Sequence, residues 1–134
     1  MQKSYISIGS LISAFGVIAG AFGAHALKTR MEPEQLLVYE TGVRFMFLHA
    51  FAILLCGILL IHFPQNKSIN NAGKLFILGI ILFSGSLFML SCRDLLGITS
   101  WKWLGPITPL GGITFILAWL MLAFSFSKNF EKQK

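Results

Sequence analysis

Residues 42–63 read GVRFMFLHAFAILLCGILLIHF, and this stretch decides the class of fold. It contains a single charged side chain, Arg44, close to its start. A helix needs about 20 residues to cross a hydrocarbon core of roughly 30 Å. Backbone groups in lipid must hydrogen-bond within their own segment, which favours a helix over an open strand. The stretch therefore predicts a transmembrane helix.

Three further segments, 5–27, 72–92 and 105–127, have the same character. Lys74 is the one Asp, Glu, Lys or Arg residue that they contain. The sequence thus predicts an all-α, four-transmembrane-helix bundle, with residues 1–134 forming a single domain of an integral membrane protein. Thr108-Pro109 indicates the start of the last helix, with the Thr108 hydroxyl as its cap and Pro109 at the first helical position.

The composition agrees with a membrane protein. Of the 134 residues, 55% are hydrophobic and 12% are charged, and the mean hydropathy is +0.74. A small soluble chain exposes too large a share of its surface to hide so many apolar groups, so these values exclude a disordered chain, a disulfide scaffold and an ordinary soluble enzyme. Cys56 and Cys92 form no CxxC pair, so the sequence predicts neither a disulfide framework nor a thiolate metal site.

The positive net charge of +6 is spread along the chain. The Lys and Arg residues lie near the ends of the apolar segments, where cations meet lipid headgroups. A nucleic-acid-binding protein would gather them on one surface, so no nucleic-acid partner is expected.

The distribution of Lys and Arg also predicts an orientation. With four spans, both termini lie on the same side as the linker 64–71. That side holds six basic residues: Lys3, Lys67, Lys74, Lys128, Lys132 and Lys134. The other side holds five: Lys28, Arg30, Arg44, Arg93 and Lys102. The positive-inside rule therefore favours both termini in the cytoplasm.

The first segment has an alternative interpretation as a cleaved signal peptide. Lys3, the apolar run and Ala24-His25-Ala26 match the pattern of a signal with an A-x-A cleavage site. However, the apolar run exceeds the usual 7–15 residues of a signal peptide. We therefore expect the segment to be retained.

Small residues recur along the first segment at spacings of three and four. They are Gly9, Ser13, Gly16, Gly20 and Gly23. Such a stripe lets helices approach closely in lipid, and Gly16 and Gly20 form a GxxxG pair. The stripe indicates packing against another helix of the same chain or, alternatively, homodimerisation. Gly42, Gly111 and Gly112 are further packing positions in the second and fourth segments.

The end of the first helix, the start of the second, the end of the third and the start of the fourth must lie at one membrane face, and several ionisable residues are predicted to meet there. The candidates for a ligand or proton site are His25, Glu40, Arg44 and His49, with Ser84 and Ser86 lining a deeper path. Ionisable residues at membrane depth are costly and often functional. The structural alternatives are a Glu40–Arg44 ion pair at i,i+4 spacing and a hydrogen-bonded interhelical His49. The first alternative implies that Glu40→Ala destabilises the fold.

Four motifs resemble a known family. They are Gly20-Ala21-Phe22-Gly23-Ala24-His25-Ala26-Leu27, Glu40-Thr41-Gly42-Val43-Arg44 with His49-Ala50, Phe83-Ser84-Gly85-Ser86-Leu87, and Gly105-Pro106-Ile107-Thr108-Pro109-Leu110-Gly111-Gly112. In this order they resemble the YgdD/YwdK-like small bacterial membrane proteins, the domain of unknown function 423, to which transmembrane protein 256 is similar. The resemblance implies four membrane helices, a retained first segment, a place in the bacterial plasma (inner) membrane and no known activity. Phe45-Met46 and Phe88 depart from the aromatic-polar pair and the Tyr usual in the family.

These observations leave three functional hypotheses. The first is a non-enzymatic protein, either a small transporter or channel subunit or an accessory subunit of a membrane complex, with membrane lipid and a homo-oligomer or complex as partners. The second is an enzyme acting on a lipid or quinone, with His49 as acid/base and Arg44 binding an anionic headgroup. The third is a membrane-protein assembly partner. No HxxH, HExxH, Walker or dinucleotide-binding pattern is present, so neither a metal site nor a cofactor is predicted.

Overall fold

The structure is a computed structural model that describes residues 2–98 and 100–130. It contains four long helices: α1 (Gln2–Phe22), α2 (Pro33–His62), α3 (Lys67–Cys92) and α4 (Ile107–Phe130). A π-helical turn, Gly23–Leu27, extends α1, and a 3-10 turn, Trp101–Leu104, precedes α4. Each of the four is long and apolar enough to cross a membrane. The predicted all-α fold with four membrane helices is confirmed.

Two helices, α2 and α3, begin at least five residues earlier than the apolar segments indicated. α2 begins at Pro33 rather than at residue 42, with Pro33 in its first turn, where the missing N–H costs no hydrogen bond. α3 begins at Lys67 rather than at 72, because the Asn66 side chain caps it by accepting from the N–H groups of Ser68 (3.0 Å) and Ile69 (3.2 Å). Hydropathy detects the continuous apolar part of a helix and misses a start that contains polar residues.

The predicted capping role of Thr108 is wrong. α4 begins at Ile107, two residues before Pro109, and Thr108 lies within its first turn. The Thr108 hydroxyl is instead 2.7 Å from the Ser86 hydroxyl on α3. The Thr108 side chain thus joins two helices rather than ending one.

Consecutive helices are antiparallel neighbours. Along α1, a Cβ added at Gly9 would meet Leu54, one at Gly16 would meet Phe47, and one at Gly23 would meet Tyr39, so the partner's residue number falls as that of α1 rises. In the described part of the chain, extensive helix packing joins α1 to α2, α2 to α3, and α3 to α4. Helices α2 and α3 are therefore central, and α1 and α4 flank them.

The stripe of small residues on α1 faces α2 of the same chain. A Cβ at Gly16 would lie 2.8 Å from the Phe47 ring, whereas one at Gly20 would lie 3.7 Å from Val43. Gly16 is therefore tightly packed, and Gly20 has room for a methyl group. This contact corresponds to the intramolecular alternative for the stripe.

Two tyrosines fix α1 on the bundle. The Tyr5 hydroxyl donates to the carbonyl oxygen (2.8 Å) or the side-chain oxygen (3.0 Å) of Asn70 in α3. The Tyr39 hydroxyl of α2 donates to the Ala19 carbonyl oxygen at 2.9 Å. Gly23, the first residue of the π-helical turn, packs against the Tyr39 ring. Both tyrosines are buried, so these bonds hold α1 without exposing polar groups to lipid.

Candidate functional site

His49 lies in an aromatic cluster between α2, α3 and α4. Its side chain is 3% exposed. The ring stacks on Phe115 of α4, with the centroids 3.4 Å apart and the planes 5° apart, and Phe76 of α3 lies 5.7 Å away. Aromatic rings of α3 and α4 thus surround the His49 side chain in the middle of α2.

Both ring nitrogens of His49 have partners. Nδ1 lies 2.7 Å from the carbonyl oxygen of Phe45, and Nε2 lies 3.4 Å from Nε1 of Trp119. A carbonyl oxygen only accepts and an indole N–H only donates, so these partners assign the proton to Nδ1 and leave His49 neutral. This arrangement is the hydrogen-bonded interhelical histidine of the structural alternative.

The six candidate residues do not form one site. His25 is exposed on the π-helical turn, and Glu40 and Arg44 are exposed on α2. The Ser86 hydroxyl bonds the Phe83 carbonyl oxygen (2.9 Å) and the Thr108 hydroxyl. Within residues 2–98 and 100–130, no ion pair or hydrogen bond joins any two of the six.

The predicted ion pair between Glu40 and Arg44 is wrong for this chain in isolation. Among the described side chains, the ion pair present is Arg93–Asp94, at 3.3 Å. Asp94 also accepts a hydrogen bond from Gln35 of α2. The charged groups at the end of α3 therefore tie α3 to α2, while Glu40 and Arg44 point outward. The expectation that Glu40→Ala destabilises the chain by unpairing Arg44 loses its basis.

A groove opens between α1 and α3. It has a volume of about 520 Å³ and is lined by Leu11, Ile12 and Phe15 of α1, Met46 of α2, and Ile77, Ile80, Ile81, Ser84, Gly85 and Phe88 of α3. A Cβ added at Gly85 would meet no atom within 4 Å. Near Tyr5, α1 contacts α3. Further along, the two helices are separated, and the gap between them is the groove. The groove has the size of a small-molecule site and is almost wholly apolar.

Ser84 is the polar residue of this groove. Its side chain is 0% exposed, and its hydroxyl has no hydrogen-bond partner in the part of the chain that the structure describes. Several other helical hydroxyls donate to a carbonyl of the preceding turn, as Ser13 does to Gly9 (2.9 Å) and Ser91 to Phe88 (3.0 Å). Ser84 thus places one unsatisfied hydroxyl beneath an apolar groove.

Sequence reasoning selected Ser84 and quoted Gly85 in the same motif, but it missed the groove and its lining residues on α1 and α2. Met46 and Gly85 contribute to the groove only because α4 packs beside α3 and leaves the space next to α1 open. Trp119, the partner of His49, lies 70 positions away in the chain. The FSGSL motif was the one sequence signal for this region, since it places small residues in the middle of a membrane helix.

The four apolar helices described above define a multi-pass membrane protein. Residues 19–112 match the family described as a protein of unknown function (DUF423), and the chain belongs to this family. The resemblance found in the four motifs is thereby confirmed.

The curated relatives are also membrane proteins by name. UPF0382 membrane protein YwdK of Bacillus subtilis is 37% identical over 127 residues, which cover 95% of this chain and 98% of the relative. UPF0382 membrane protein SH2409 of Staphylococcus haemolyticus is 36% identical, and SAB0533 of Staphylococcus aureus is 38% identical, with the same coverage. No solved structure matches the chain.

Proposed function

We propose that the protein is a non-enzymatic accessory subunit of a membrane assembly and binds an apolar molecule in the groove between α1 and α3. The groove carries this proposal, because it is a concave, apolar space bordered by membrane helices. Lipid-soluble ligands reach such a site sideways from the bilayer. A binding role needs shape and apolar lining, both of which the groove supplies.

The surroundings of His49 favour a binding role over an enzyme. An acid/base histidine must present one nitrogen to the substrate. Both nitrogens of His49 already have protein partners, and its ring lies between aromatic side chains. A transport path through a single chain is likewise disfavoured, since the space around His49 between α2 and α4 is filled.

Filling the groove tests the proposal. In Gly85→Leu, the new side chain enters the open space and is expected to reduce the amount of bound apolar molecule by roughly tenfold, the effect of losing about 1.4 kcal/mol of binding free energy. Native mass spectrometry of protein extracted gently from its membrane measures this as the intensity of the adduct peak.

Gly112→Leu is the matched control, because it adds the same side chain to a membrane helix outside the groove. A Cβ at Gly112 would lie 3.9 Å from the Phe83 ring, an ordinary contact. We expect the wild type and Gly112→Leu to carry the same adduct. Equal adduct intensity in Gly85→Leu, or no adduct on the wild type, would contradict the proposal.

We further propose that the protein lies in the bacterial plasma membrane with both termini in the cytoplasm. On the terminal side, the described Lys3, Lys67 and Lys74 are exposed. Lys132 and Lys134 lie outside the described residues, as do the side chains of Lys102 and Lys128. The opposite side mixes Lys28, Arg30, Arg44 and Arg93 with the acids Glu32, Glu34, Glu40 and Asp94. The positive-inside rule gives acids little weight, so the proposed orientation depends on the larger number of basic residues, all lysines, on the terminal side.

Cysteine labelling checks this orientation. In a chain with Cys56 and Cys92 replaced by alanine, Lys67→Cys is expected to be protected from a membrane-impermeant maleimide in intact cells, and Lys28→Cys is expected to react. Permeabilised cells, in which both positions should react, serve as the control. The reverse pattern would show that the termini face outward.

A further inference from the structure

The outward-facing side of α2 carries two charges of opposite sign among apolar side chains. Glu40 and Arg44 lie one helical turn apart and are exposed, and neither forms an ion pair within the described residues. The exposed apolar residues of the same surface, here called the α2 outer face, are Leu37, Leu48, Phe51, Leu55 and Ile58. Lipid satisfies the apolar residues but not the charges.

The contact between α2 and α3 fixes the depth of Arg44. Gln35 of α2 bonds Asp94, which lies two residues beyond the end of α3, so these two residues lie at the same height. Below Asp94, residues 75–92 of α3 carry no charge and cover about 27 Å at 1.5 Å per residue, close to the thickness of a hydrocarbon core. Arg44 follows Gln35 by nine residues and therefore lies about 13 Å deeper than the charged end of α3.

The contact between α1 and α2 supports the same depth. Gly20 of α1 faces Val43, the neighbour of Arg44. Lys28, the next charged residue of α1, follows Gly20 by eight residues, or about 12 Å. The contacts with α1 and α3 thus place Arg44 two helical turns or more from the nearest charges of those helices, on an otherwise apolar helix surface. An exposed charge there gains from a counter-charge.

We propose that the α2 outer face is an interface between two copies of this chain, in which Glu40 of each copy pairs with Arg44 of the other. This inference goes beyond the groove and does not depend on what the groove binds. With a two-fold axis along the membrane normal, the two α2 helices run parallel and present the same surface to each other. A helical side chain leans towards the N-terminus of its helix, so Arg44 reaches towards the height of Glu40 of the other copy.

The charge pattern is self-complementary, which is the argument for a second copy as the occupant. One acid and one base, a turn apart on one face, give two ion pairs in a symmetric dimer. Leu48 and Phe51 lie about one and two turns deeper than Arg44 on the same face. Their side chains are 54% and 59% exposed and supply apolar contact in the same dimer. A chain that met lipid alone would leave both charges uncompensated.

Charge reversal in trans tests the pairing. Glu40→Arg alone sets Arg against Arg across the interface, and Arg44→Glu alone sets Glu against Glu. The dissociation constant of the dimer is therefore expected to rise roughly tenfold or more in each variant. When the two variants are co-expressed with different affinity tags, every cross-interface pair is again attractive, and co-purification is expected to return. Pairing within one chain predicts no such rescue, since each variant carries two like charges.

Glu34→Arg is the matched control, because it reverses an acid of the same helix that lines a different cleft, towards α3. It is expected to self-associate like the wild type. In a second measurement, membranes holding a chain without Cys56 and Cys92 are treated with an added mild oxidant that accepts the two electrons. Leu48→Cys is then expected to form a disulfide-linked dimer, whereas Ile116→Cys, at an exposed position of α4, is not. This second test remains informative if the reversed variants fail to fold.

A monomeric wild type would overturn the proposal and indicate that Arg44 extends to lipid headgroups. Dimers that survive both single reversals, an absence of rescue from two folded variants, or cross-linking at Ile116→Cys instead of Leu48→Cys would also overturn it. A Gly85→Leu variant that loses its adduct yet still dimerises would show that the groove and the α2 outer face act separately.

Discussion

Replacing His49 by alanine is expected to lower the free energy of unfolding in detergent by about 2–5 kcal/mol, in the range of large buried side chains cut to alanine. The ring of His49 stacks on Phe115, and its removal leaves a cavity between α2 and α4. The indole N–H of Trp119 also loses its acceptor. Equilibrium unfolding followed by circular dichroism measures the change.

His49→Phe is the control for this prediction. It preserves a ring of similar size but removes both nitrogens, so it is expected to cost about 1–2 kcal/mol, the penalty for an unpaired polar group. Trp119→Phe removes the donor, and a double-mutant cycle with His49→Phe is expected to give a coupling near 0.6 kcal/mol, typical of hydrogen bonds between membrane helices. Wild-type stability in His49→Ala would contradict the structural role and favour a functional site.

Gly111→Ala is expected to destabilise the protein strongly, whereas Gly112→Ala, at the next position, is expected to be tolerated. A Cβ at Gly111 would lie 2.5 Å from the backbone nitrogen and 2.8 Å from the Cα of Phe83. Backbone atoms cannot rotate aside, so the two helices must separate. Overpacking of this kind costs about 1–3 kcal/mol, and sometimes more.

Thermal unfolding of the two variants in the same detergent provides the comparison. Both substitutions make the same chemical change in the same helix, so helix propensity and membrane insertion are matched. At Gly112 the nearest atom to a Cβ is 3.9 Å away, and a slight gain from the better helix former is expected. Equal melting temperatures for the two variants would show that α3 and α4 are not packed as described.

The glycine pairs show what sequence reasoning can and cannot resolve. Spacing alone places Gly16 and Gly20 on one face, and Gly111 and Gly112 both appear as packing positions. Yet Gly16 and Gly111 have a neighbour inside 3 Å of a Cβ, and Gly20 and Gly112 do not. The difference depends on which residue of the partner helix lies opposite, and that residue is distant in the chain.

The polar candidates divide in the same way. Sequence and topology predict that His25, Glu40, Arg44 and His49 lie towards one membrane face, because the ends of adjoining helices must meet there. Whether their side chains meet depends on the rotation of each helix about its axis. The packing of α2 buries His49 against α3 and α4 and turns Glu40 and Arg44 outward, so no common site forms. A periodic pattern gives relative angles within one helix but not the direction of its neighbours.

The sequence by itself determined that this protein has four membrane helices and belongs to its family. Hydropathy is a property of each segment alone, and a charge-free run of about 20 residues has no stable alternative in lipid. The tertiary structure decided where α4 packs, and therefore that a groove remains between α1 and α3 and that Trp119 reaches His49. These outcomes depend on contacts between helices, which arise from side-chain shapes far apart in the chain, and no local pattern encodes them.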